Sequence, residues 1–537
     1  MTFVRPELEL KLRAPLAGGQ PGTHEFRRAT SAVVGNSDTC DFITDGVADD
    51  VEIVAALTYV NGLGGGEVRL LEAPYTLADP IAFPGNNLIL TGLGRNSFID
   101  GDGLATGEHA IVLSGVTDCI VRDLAIQTED GGGKVCHCIF IEDGANNFHI
   151  GHVTIVDSDS DGIHVEGTSI LYGHIHLCHI EDADDYGIQV NMDGGNFIYR
   201  LHIIDCDITG AGNAGLAFQT SAGNWYCLIE GNDLEANGAQ GILVIDSDYT
   251  IINNNICFGN GGDGIEVNST DHVMLNNNIC QSNVEHGIYL VGSNECTLEG
   301  NICDLNDSGD TGNFDGVHLD ADSHNSILLG THCGLNHGQG IHVYSDDNIL
   351  LANYLFTNDL YGITIAADAL RNYVEHNYYN GNLTGAINDL GTDTRLQEVV
   401  ENVSDSDSFI GDHPSAVLLN GVINNVRFEF RVPSDFQELV RAYVILVPED
   451  GGALRRDIDT DYGHFCTEAY NATSEHPGYA TVAGLTLNQL ECIDVSGALA
   501  TIAASDDVGL TFMRDATHGE DTIEASVQVL KFVMQYV

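Results

Sequence analysis

The sequence predicts an all-β protein: a right-handed, single-stranded parallel β-helix of about twelve coils with an N-terminal cap helix, then a C-terminal antiparallel β-sandwich of jelly-roll type. The β-helix is predicted by a near-repeat of short segments, each led by a glycine and rich in β-branched residues. A period of 22 to 29 residues without helical patterning is typical of a solenoid whose coils are strands. The right hand follows from the general rule for parallel crossovers. The glycines are Gly162, Gly187, Gly215, Gly241, Gly264, Gly287, Gly316, Gly340 and Gly362.

A second motif follows each glycine segment by about half a coil. It reads Asn255-Ile256-Cys257 in one coil and Asn278-Ile279-Cys280 in the next, and another Asn follows three residues after each Cys. Equivalent positions in stacked coils lie about 4.8 Å apart, so like side chains can form ladders. We therefore expect asparagines that bond from coil to coil and that take the left-handed conformation needed at a sharp corner.

The region before the repeats predicts a cap. Residues 45–57 have the pattern of an N-capped amphipathic helix, and the segment Gly64-Gly65-Gly66 with the apolar residues after it leads into the first coil. Such a helix would cover the open end of the stacked core, which would otherwise expose an unpaired strand edge.

This helix and glycine segment resemble the pectate-lyase-like β-helix superfamily, in the version common in phage and archaeal virus virion proteins. The resemblance covers roughly residues 35–390 and is specific for the fold rather than for an activity. It implies a tail-spike or other virion appendage. Because phage spikes of this kind are usually trimers, it also implies a homo-oligomer.

Four regions are predicted. Residues 1–30 form an arm, 31–395 the capped β-helix, 396–424 an acidic linker or neck, and 425–537 the sandwich, whose strands alternate apolar and polar residues. The arm concentrates basic residues, so docking onto other virion proteins or a neighbouring subunit is one interpretation, and a disordered terminus is the other. These basic residues are Arg5, Lys11, Arg13, Arg27 and Arg28.

The composition is extremely acidic. The chain has 79 Asp plus Glu against 19 Lys plus Arg, a net charge of -60. High salt would screen the self-repulsion, because the Debye length falls from about 10 Å at 0.1 M to about 3 Å at 1 M. Scarce lysine and abundant carboxylate resemble proteins of extreme halophiles; an ordinary acidic soluble protein is the alternative. Nucleic acid and anionic membranes are poor partners for such a surface.

The sequence also indicates where the protein is made. No apolar signal region follows Met1, and no run of about 20 apolar residues suits a membrane span. We expect synthesis in a host cytoplasm, no membrane insertion, and a final location on a virion exposed to a high-salt medium. The cysteines, which include no CxxC pair, are expected to be reduced thiols that pack as small core residues.

Two outward-facing clusters are candidate binding sites. Adjacent coils should bring together His318, Asp320, His342 and Tyr344, as a glycan-contact patch or a weak acid/base pair. A second column should stack His149, His174 and His202, which could hold a divalent cation or sense pH. We expect no other cofactor. In a chain with 22 histidines, scattered surface imidazoles are the alternative for both clusters.

The sequence predicts no catalytic residue. Lyases of the resembled superfamily use Asp clusters for calcium and an Arg or Lys base, but the coils between residues 110 and 390 contain few basic residues: Arg122, Lys134, Arg200 and Arg371. Ser160-Asp161-Gly162-Ile163 resembles one fragment of the galacturonan-hydrolase motifs, whose other fragments are missing.

The sequence therefore favours a virion structural and receptor-binding protein. It would be a spike, fibre or vertex appendage of a tailed virus of a halophilic host, and it would bind a host surface glycan or S-layer. The main alternative is a polysaccharide depolymerase of the same fold, acting as a lyase or a glycoside hydrolase through carboxylates on the rod face or between subunits. A cellular structural β-helix is a third option.

Overall fold

The computed structural model describes residues 31–128, 135–167, 170–192, 198–220, 226–309, 314–402, 408–410, 413–420, 423–433, 436–464, 473–475, 477–504 and 506–536. The predicted N-terminal arm, residues 1–30, lies outside this part of the chain. Among the described residues, no helix combines the length and the apolar character needed to cross a bilayer.

The predicted parallel β-helix is confirmed. The glycine-led segments form sheet B, whose strands pair in parallel with the equivalent segment one coil later and share one continuous core with the other sheet. The strands of sheet B are Ile81–Ala82, Ile111–Ser114, Ile139–Glu142, Ile163–Glu166, Ile188–Met192, Leu216–Thr220, Ile242–Ile245, Ile265–Asn268, Ile288–Val291, Val317–Leu319, Ile341–Val343, Tyr361–Ile365 and Gly385–Asp389.

The rest of each coil forms sheet A, which bends at a corner into two runs of strands. The first run contains Ser31–Gly35, Gly66–Leu70, Leu88–Asp100, Ile120–Gln127, Phe148–Asp157, Ile170–His176, Ile198–Ile204, Leu228–Glu230, Ile251–Asn253, Met274–Asn276, Thr297–Glu299, Ile327–Leu329, Ile349–Leu351, Tyr373–Glu375 and Arg395–Asn402. The second run contains Phe42–Ile43, Ala73–Thr76, His179–Glu181, Asp207–Thr209, Asp233–Glu235, Ile256–Phe258, Ile279–Gln281, Ile302–Asp304, His332–Gly334, Tyr354–Phe356 and Tyr378–Asn380.

Buried asparagine ladders hold the corners of sheet A. The Asn255 side-chain amide donates to Asn278 Oδ1 at 3.0 Å, and the Asn278 amide donates to Asn301 Oδ1 at 3.0 Å. Each amide also donates to a backbone carbonyl, so these buried polar groups are satisfied. The predicted coil-to-coil bonding is confirmed.

The backbone prediction for these asparagines is wrong. The left-handed residue is the one before each ladder position: Asn254 has φ 56°, Asn277 has φ 54°, and Gly300 has φ 65°. The ladder asparagine must point its amide inward to reach the next coil. The residue before it therefore takes the left-handed conformation that turns the chain.

The repeated cysteines pack as predicted. Cys257, Cys280, Cys303 and Cys333 lie in register in adjacent coils, and all are buried in the core. Burial raises the pKa of the Cys280 thiol well above its ordinary value, which keeps it protonated and unreactive. The cysteines in the described part of the chain are free.

One α-helix occurs in the described part of the chain, α1 (Asp50–Gly62), and it packs on the first coil, as the cap prediction requires. It begins later than expected, and the predicted side-chain cap is absent, since the Asp49 side chain makes no capping hydrogen bond to the helix. Ile53, Ala56, Leu57 and Val60 join the rod core from one helix face. At the start of the helix, Asp50 Oδ1 accepts the Ala78 N–H at 2.8 Å, which ties the helix to the backbone of the next segment.

The C-terminal region contains two antiparallel sheets, as predicted. Sheet C contains Ser408–Ile410, His413–Leu418, Leu439–Pro448, Glu491–Asp494 and Val527–Tyr536; sheet D contains Ile423–Arg431, Gly452–His464, Thr473–Glu475, Ala480–Leu485 and Asp506–Asp515, and a 3₁₀ turn spans Ser496–Ala498. Side chains of both sheets form a second core, which includes Phe428, Val444, Phe512 and Phe532.

The rod and the sandwich share a strand. Arg395–Asn402 pairs in parallel with Tyr373–Glu375 of the last coil and antiparallel with Val527–Tyr536 of sheet C. The region for which we predicted a linker, residues 396–424, thus includes strands in its described part. A further contact joins the two units, because Arg441 Nη2 lies 2.7 Å from Asp389 Oδ2.

Candidate functional site

The site is built on a turn that leads into sheet B. Asp315-Gly316-Val317-His318 and Asp161-Gly162-Ile163-His164 share the sequence Asp-Gly-x-His, and each has a histidine one coil earlier, His286 and His137 respectively. Glycine is required at the second position because neighbouring coils approach closely: a Cβ on Gly316 would lie 2.7 Å from the Gly340 carbonyl oxygen. The aspartate therefore lies at a fixed place beside the next coil.

The Asp315 carboxylate gathers three imidazoles. Its Oδ1 accepts the Gln339 N–H from the next coil at 2.7 Å. Its Oδ2 lies 2.8 Å from His318 Nδ1 and 3.2 Å from His342 Nδ1. Because an ionised carboxylate only accepts hydrogen bonds, both imidazoles donate Nδ1–H to it. Their Nε2 atoms remain available to a ligand.

His286 completes the cluster from the inner side. Its Nδ1 accepts the Asp315 N–H at 2.8 Å and lies 3.9 Å from Asp315 Oδ2. Burial, together with the nearby His318, lowers the pKa of His286 to about 3. His286 is therefore neutral at ordinary pH and supports the site rather than supplying charge.

The buried carboxylate stays ionised because of its partners. Burial alone would raise the pKa of Asp315, but the hydrogen bonds from His318 and His342 outweigh it and hold that pKa at about 2. At the other Asp-Gly-x-His turn, burial outweighs the single imidazole bond from His164 and raises the pKa of Asp161. The second imidazole is what distinguishes the Asp315 site.

Aromatic rings surround the Asp315 site on the outer surface. The Tyr344 ring centroid lies 4.3 Å from that of His342 and 5.3 Å from that of His318, and the Tyr289 centroid lies 5.2 Å from that of His318. Tyr344 is 41% exposed. The site thus presents a group of partly exposed rings from adjacent coils around one buried negative charge.

The structure brings together three of the four residues predicted as a glycan patch, namely His318, His342 and Tyr344. The fourth, Asp320, uses its Oδ1 to accept the Gly292 N–H at 3.0 Å and the Ser323 hydroxyl at 2.8 Å. Asp320 also lies near Tyr289, whose pKa is raised by burial and by that charge.

The second predicted cluster stacks along the rod. The ring centroids of His149 and His174 are 4.9 Å apart, and those of His174 and His202 are 4.7 Å apart. Burial and the neighbouring imidazoles, His149 foremost, lower the pKa of His174 to about 4. In the described residues, the groups whose ligand atoms come within 4.8 Å of one another are instead His137, Asp161, His164 and His286, Asp315, His318.

These two groups could receive a metal ion only by giving up existing bonds. His137 Nδ1 accepts the Asp161 N–H at 3.1 Å, as His286 Nδ1 accepts that of Asp315. His164 Nδ1 hydrogen-bonds to Asp161, and its Nε2 lies 3.3 Å from Glu166. The arrangement is complete as a hydrogen-bond network, and the outward Nε2 atoms of His318 and His342 are the better ligands for an incoming group.

Sequence reasoning missed Asp315, His286 and Tyr289. The signal was present in the repetition of Asp-Gly-x-His in two coils; a third coil has Asp263-Gly264, but Glu266 stands there in place of the histidine. It also missed an exposed ring ladder at a corner of sheet A, where successive centroids lie 4.7 to 5.9 Å apart. This ladder contains Tyr172, Tyr199, Tyr226, Tyr249 and His272.

Fold and sequence together define the class of protein by its architecture: the chain contains a right-handed parallel β-helix. Residues 161–311 match the family model described as the right-handed β-helix region. No curated protein sequence matches the chain.

Several solved structures are similar to this chain. The Dettilon tailspike protein is 15% identical, with 90% of this chain and 94% of that chain covered and a TM-score of 0.50. The A-module of the mannuronan C-5 epimerase AlgE4 from Azotobacter vinelandii is 16% identical, covering 66% and 97%, with a TM-score of 0.47. DFA-IIIase from Arthrobacter chlorophenolicus A6 is 12% identical, covering 64% and 94%, with a TM-score of 0.41. At these identities the likeness is one of fold.

Proposed function

We propose that the protein is a carbohydrate-binding rod that attaches a virus particle to the surface glycan or S-layer of a halophilic host. The group of rings around Asp315, formed by Tyr289, His318, His342 and Tyr344, is the observation that carries this proposal. Sugar rings present flat C–H faces that stack on aromatic side chains, and hydroxyls that bond to imidazole nitrogens. The site offers both.

The site is also preorganised for binding. The Asp315 carboxylate fixes the orientation of His318 and His342 before any ligand arrives, so little side-chain entropy is lost on binding. The stacked coils hold these residues on regular strands rather than on mobile loops. A rigid lateral face suits a long polymer that is gripped at successive coils.

The role on a virus particle rests on other grounds. The Dettilon protein that shares this fold over most of both chains is a tailspike. The net charge of -60 favours a high-salt medium, in which that charge is screened. Residues 1–30, which are basic, are proposed to dock onto other virion proteins, and the rods are proposed to be homo-oligomers.

Glycan binding can be measured by affinity electrophoresis in gels that contain alginate, dextran or glycans released from halophilic archaeal envelopes, at high KCl. We expect retardation in at least one gel, and a loss of affinity of roughly tenfold for Tyr344→Ala. Tyr249→Ala is the matched control, because Tyr249 is also 41% exposed but lies away from sheet B, in the turn before strand Ile251–Asn253 of sheet A. Equal retardation of both variants would place the binding elsewhere on the rod.

The virion role has a separate test. Gold-labelled antibody raised against the chain should decorate one appendage on intact particles from the source culture. Labelling confined to cell envelopes or to culture supernatant would refute it.

A polysaccharide depolymerase is the second candidate, and one observation favours it. The buried Asp315 carboxylate orients the His318 imidazole through Nδ1 and leaves its Nε2 free. This is the arrangement of a histidine general base that is positioned by a carboxylate. Incubation with the same glycans should then release reducing ends or unsaturated products, and His318→Gln should abolish the release. Binding without any product over long incubation would exclude catalysis for those glycans.

A further inference from the structure

A groove opens on the outer face of the first run of sheet A, and a glycine lies at its centre. Gly151 pairs in register with Arg122 of the coil before and with His176 of the coil after. His149 and His152 flank it along the chain. All five residues line the same groove, which has a volume of about 810 Å³. Four basic side chains therefore surround one position that has no side chain.

The missing side chain brings the basic groups closer together. The His176 imidazole leans across Gly151, because a Cβ on that glycine would lie 2.6 Å from His176 Nε2. Strands two coils apart are separated by about 10 Å, and an imidazole that leans this way comes nearer to Arg122 on the other side of the glycine. The His152 ring centroid lies 5.8 Å from that of His176. The groove thus has hydrogen-bond donors on several sides.

The Arg122 guanidinium has no close carboxylate among the described residues. It approaches Glu67 at 3.9 Å and Asp123 at 3.7 Å, which is too far for a hydrogen bond, and its side chain is 45% exposed. Arg371, another exposed arginine of the rod, is instead held by both oxygens of Asp347, at 2.7 and 2.6 Å. In a chain with 79 carboxylates, an arginine placed in this way is available to an anion from outside.

The imidazoles of the groove disfavour one another's protonation. Burial, followed by the nearby His176, lowers the pKa of His149, although Asp118 acts in the opposite direction. Burial, followed by His152, lowers the pKa of His176, against the effect of Asp205. An anion among these rings would offset their repulsion, so binding should strengthen as the pH falls. The other titratable groups around them are Glu67, Arg122, Asp123 and His174.

We propose that this groove binds a sulfate or phosphate group, as a free ion or as an ester of a small saccharide. A guanidinium and imidazoles on different sides match the oxygens of a tetrahedral oxyanion better than those of a planar carboxylate. The groove is larger than one ion needs, so an esterified sugar should bind more tightly. The net charge of -60 repels an extended polyanion such as nucleic acid. This groove is separate from the Asp315 site, which is built on sheet B.

Equilibrium dialysis of the full chain at one high KCl concentration measures the binding of inorganic sulfate, inorganic phosphate, and the sulfate and phosphate esters of glucose. We expect all four to bind, the esters more tightly, and sulfate to bind better at about pH 5.5 than at about pH 7.5. Arg122→Gln removes the guanidinium, whereas Gly151→Ala keeps every charge and pushes the His176 ring aside. Each should weaken binding by about tenfold or more. Arg371→Gln is the matched control and should bind like wild type, because Asp347 already holds that guanidinium.

Far-UV circular dichroism at both pH values establishes that each variant is folded before binding is compared. Esters that bind no more tightly than the inorganic ions would assign the groove to the free ion. Wild type that binds neither sulfate nor phosphate would overturn the proposal. So would unchanged binding in Arg122→Gln or in Gly151→Ala, or an equal loss in Arg371→Gln, which would indicate attraction to basic charge in general. Sulfate binding that weakens as the pH falls would contradict the part given to the imidazoles.

Discussion

Replacing one ladder asparagine should weaken the whole rod. Asn255 Oδ1 accepts the Asn232 N–H at 3.0 Å and the Asn232 amide at 2.9 Å, while its own amide donates to the Ile229 carbonyl at 3.0 Å. Asn255→Ala removes these three bonds, and the bond from the Asn255 amide to Asn278 Oδ1, in a fully buried corner. The Asn232 N–H and one N–H of the Asn232 side-chain amide lose their acceptor.

The expected cost follows from those two groups. A buried polar group that is left without a partner costs about 1–3 kcal/mol, so Asn255→Ala should lower the free energy of unfolding by about 2–6 kcal/mol. Asn254→Gly changes the same residue type one position earlier. Asn254 is exposed at φ 56°, which glycine adopts freely, so its effect should stay within about 1 kcal/mol.

Urea unfolding at fixed high KCl, followed by circular dichroism, compares the two variants. The free-energy difference is the shift in midpoint multiplied by the common slope. Equal shifts for Asn255→Ala and Asn254→Gly would refute the claim that the buried ladder, rather than asparagine content, stabilises the corners.

Three further predictions concern the whole chain. Stability should fall as pH drops from about 6.5 to 3, because the unfolded chain protonates His286 while the folded chain, in which His286 has a pKa of about 3, does not. His286→Gln should flatten the stability–pH curve in that window, and an unchanged curve would contradict the lowered pKa of His286. Lowering KCl at neutral pH should lower the melting temperature steeply, because the net charge of -60 is then unscreened; a melting temperature independent of KCl would be inconsistent with that. A thiol reagent should label the exposed Cys492 in the folded protein but should reach the buried Cys280 only after unfolding, which peptide mapping by mass spectrometry can check; early labelling of Cys280 would contradict its burial.

Much of the β-helix could be predicted because each coil repeats the same sequence pattern. Glycine, β-branched residues and asparagine recur at fixed places, so one coil's pattern supports the next. The corner conformation was mispredicted because the residue that turns, such as Asn254 or Gly300, varies in type between coils. The feature that recurs at this corner is the inward amide, which Thr331 replaces in one coil, and only the backbone shows which residue turns.

The site was partly predictable for the same reason. His318 and His342 meet because strands Val317–Leu319 and Ile341–Val343 pair in the register that the repeat predicts. Asp315 lies before the glycine, outside the strand, so strand alternation gave no hint of its direction. The pairing of residues 397–402 with 531–536 was also beyond prediction, since it joins segments far apart in sequence.

The strand shared by rod and sandwich has a consequence for how the chain is made. Coils can stack one after another as the ribosome releases them, because each pairs with its predecessor. Within the described residues, the free edge of Arg395–Asn402 pairs with Val527–Tyr536, a segment that the ribosome makes much later. Until that segment is made, the folded β-helix has an unpaired strand edge. A chain truncated before residue 527 would keep this edge, and strands of other chains could pair with it.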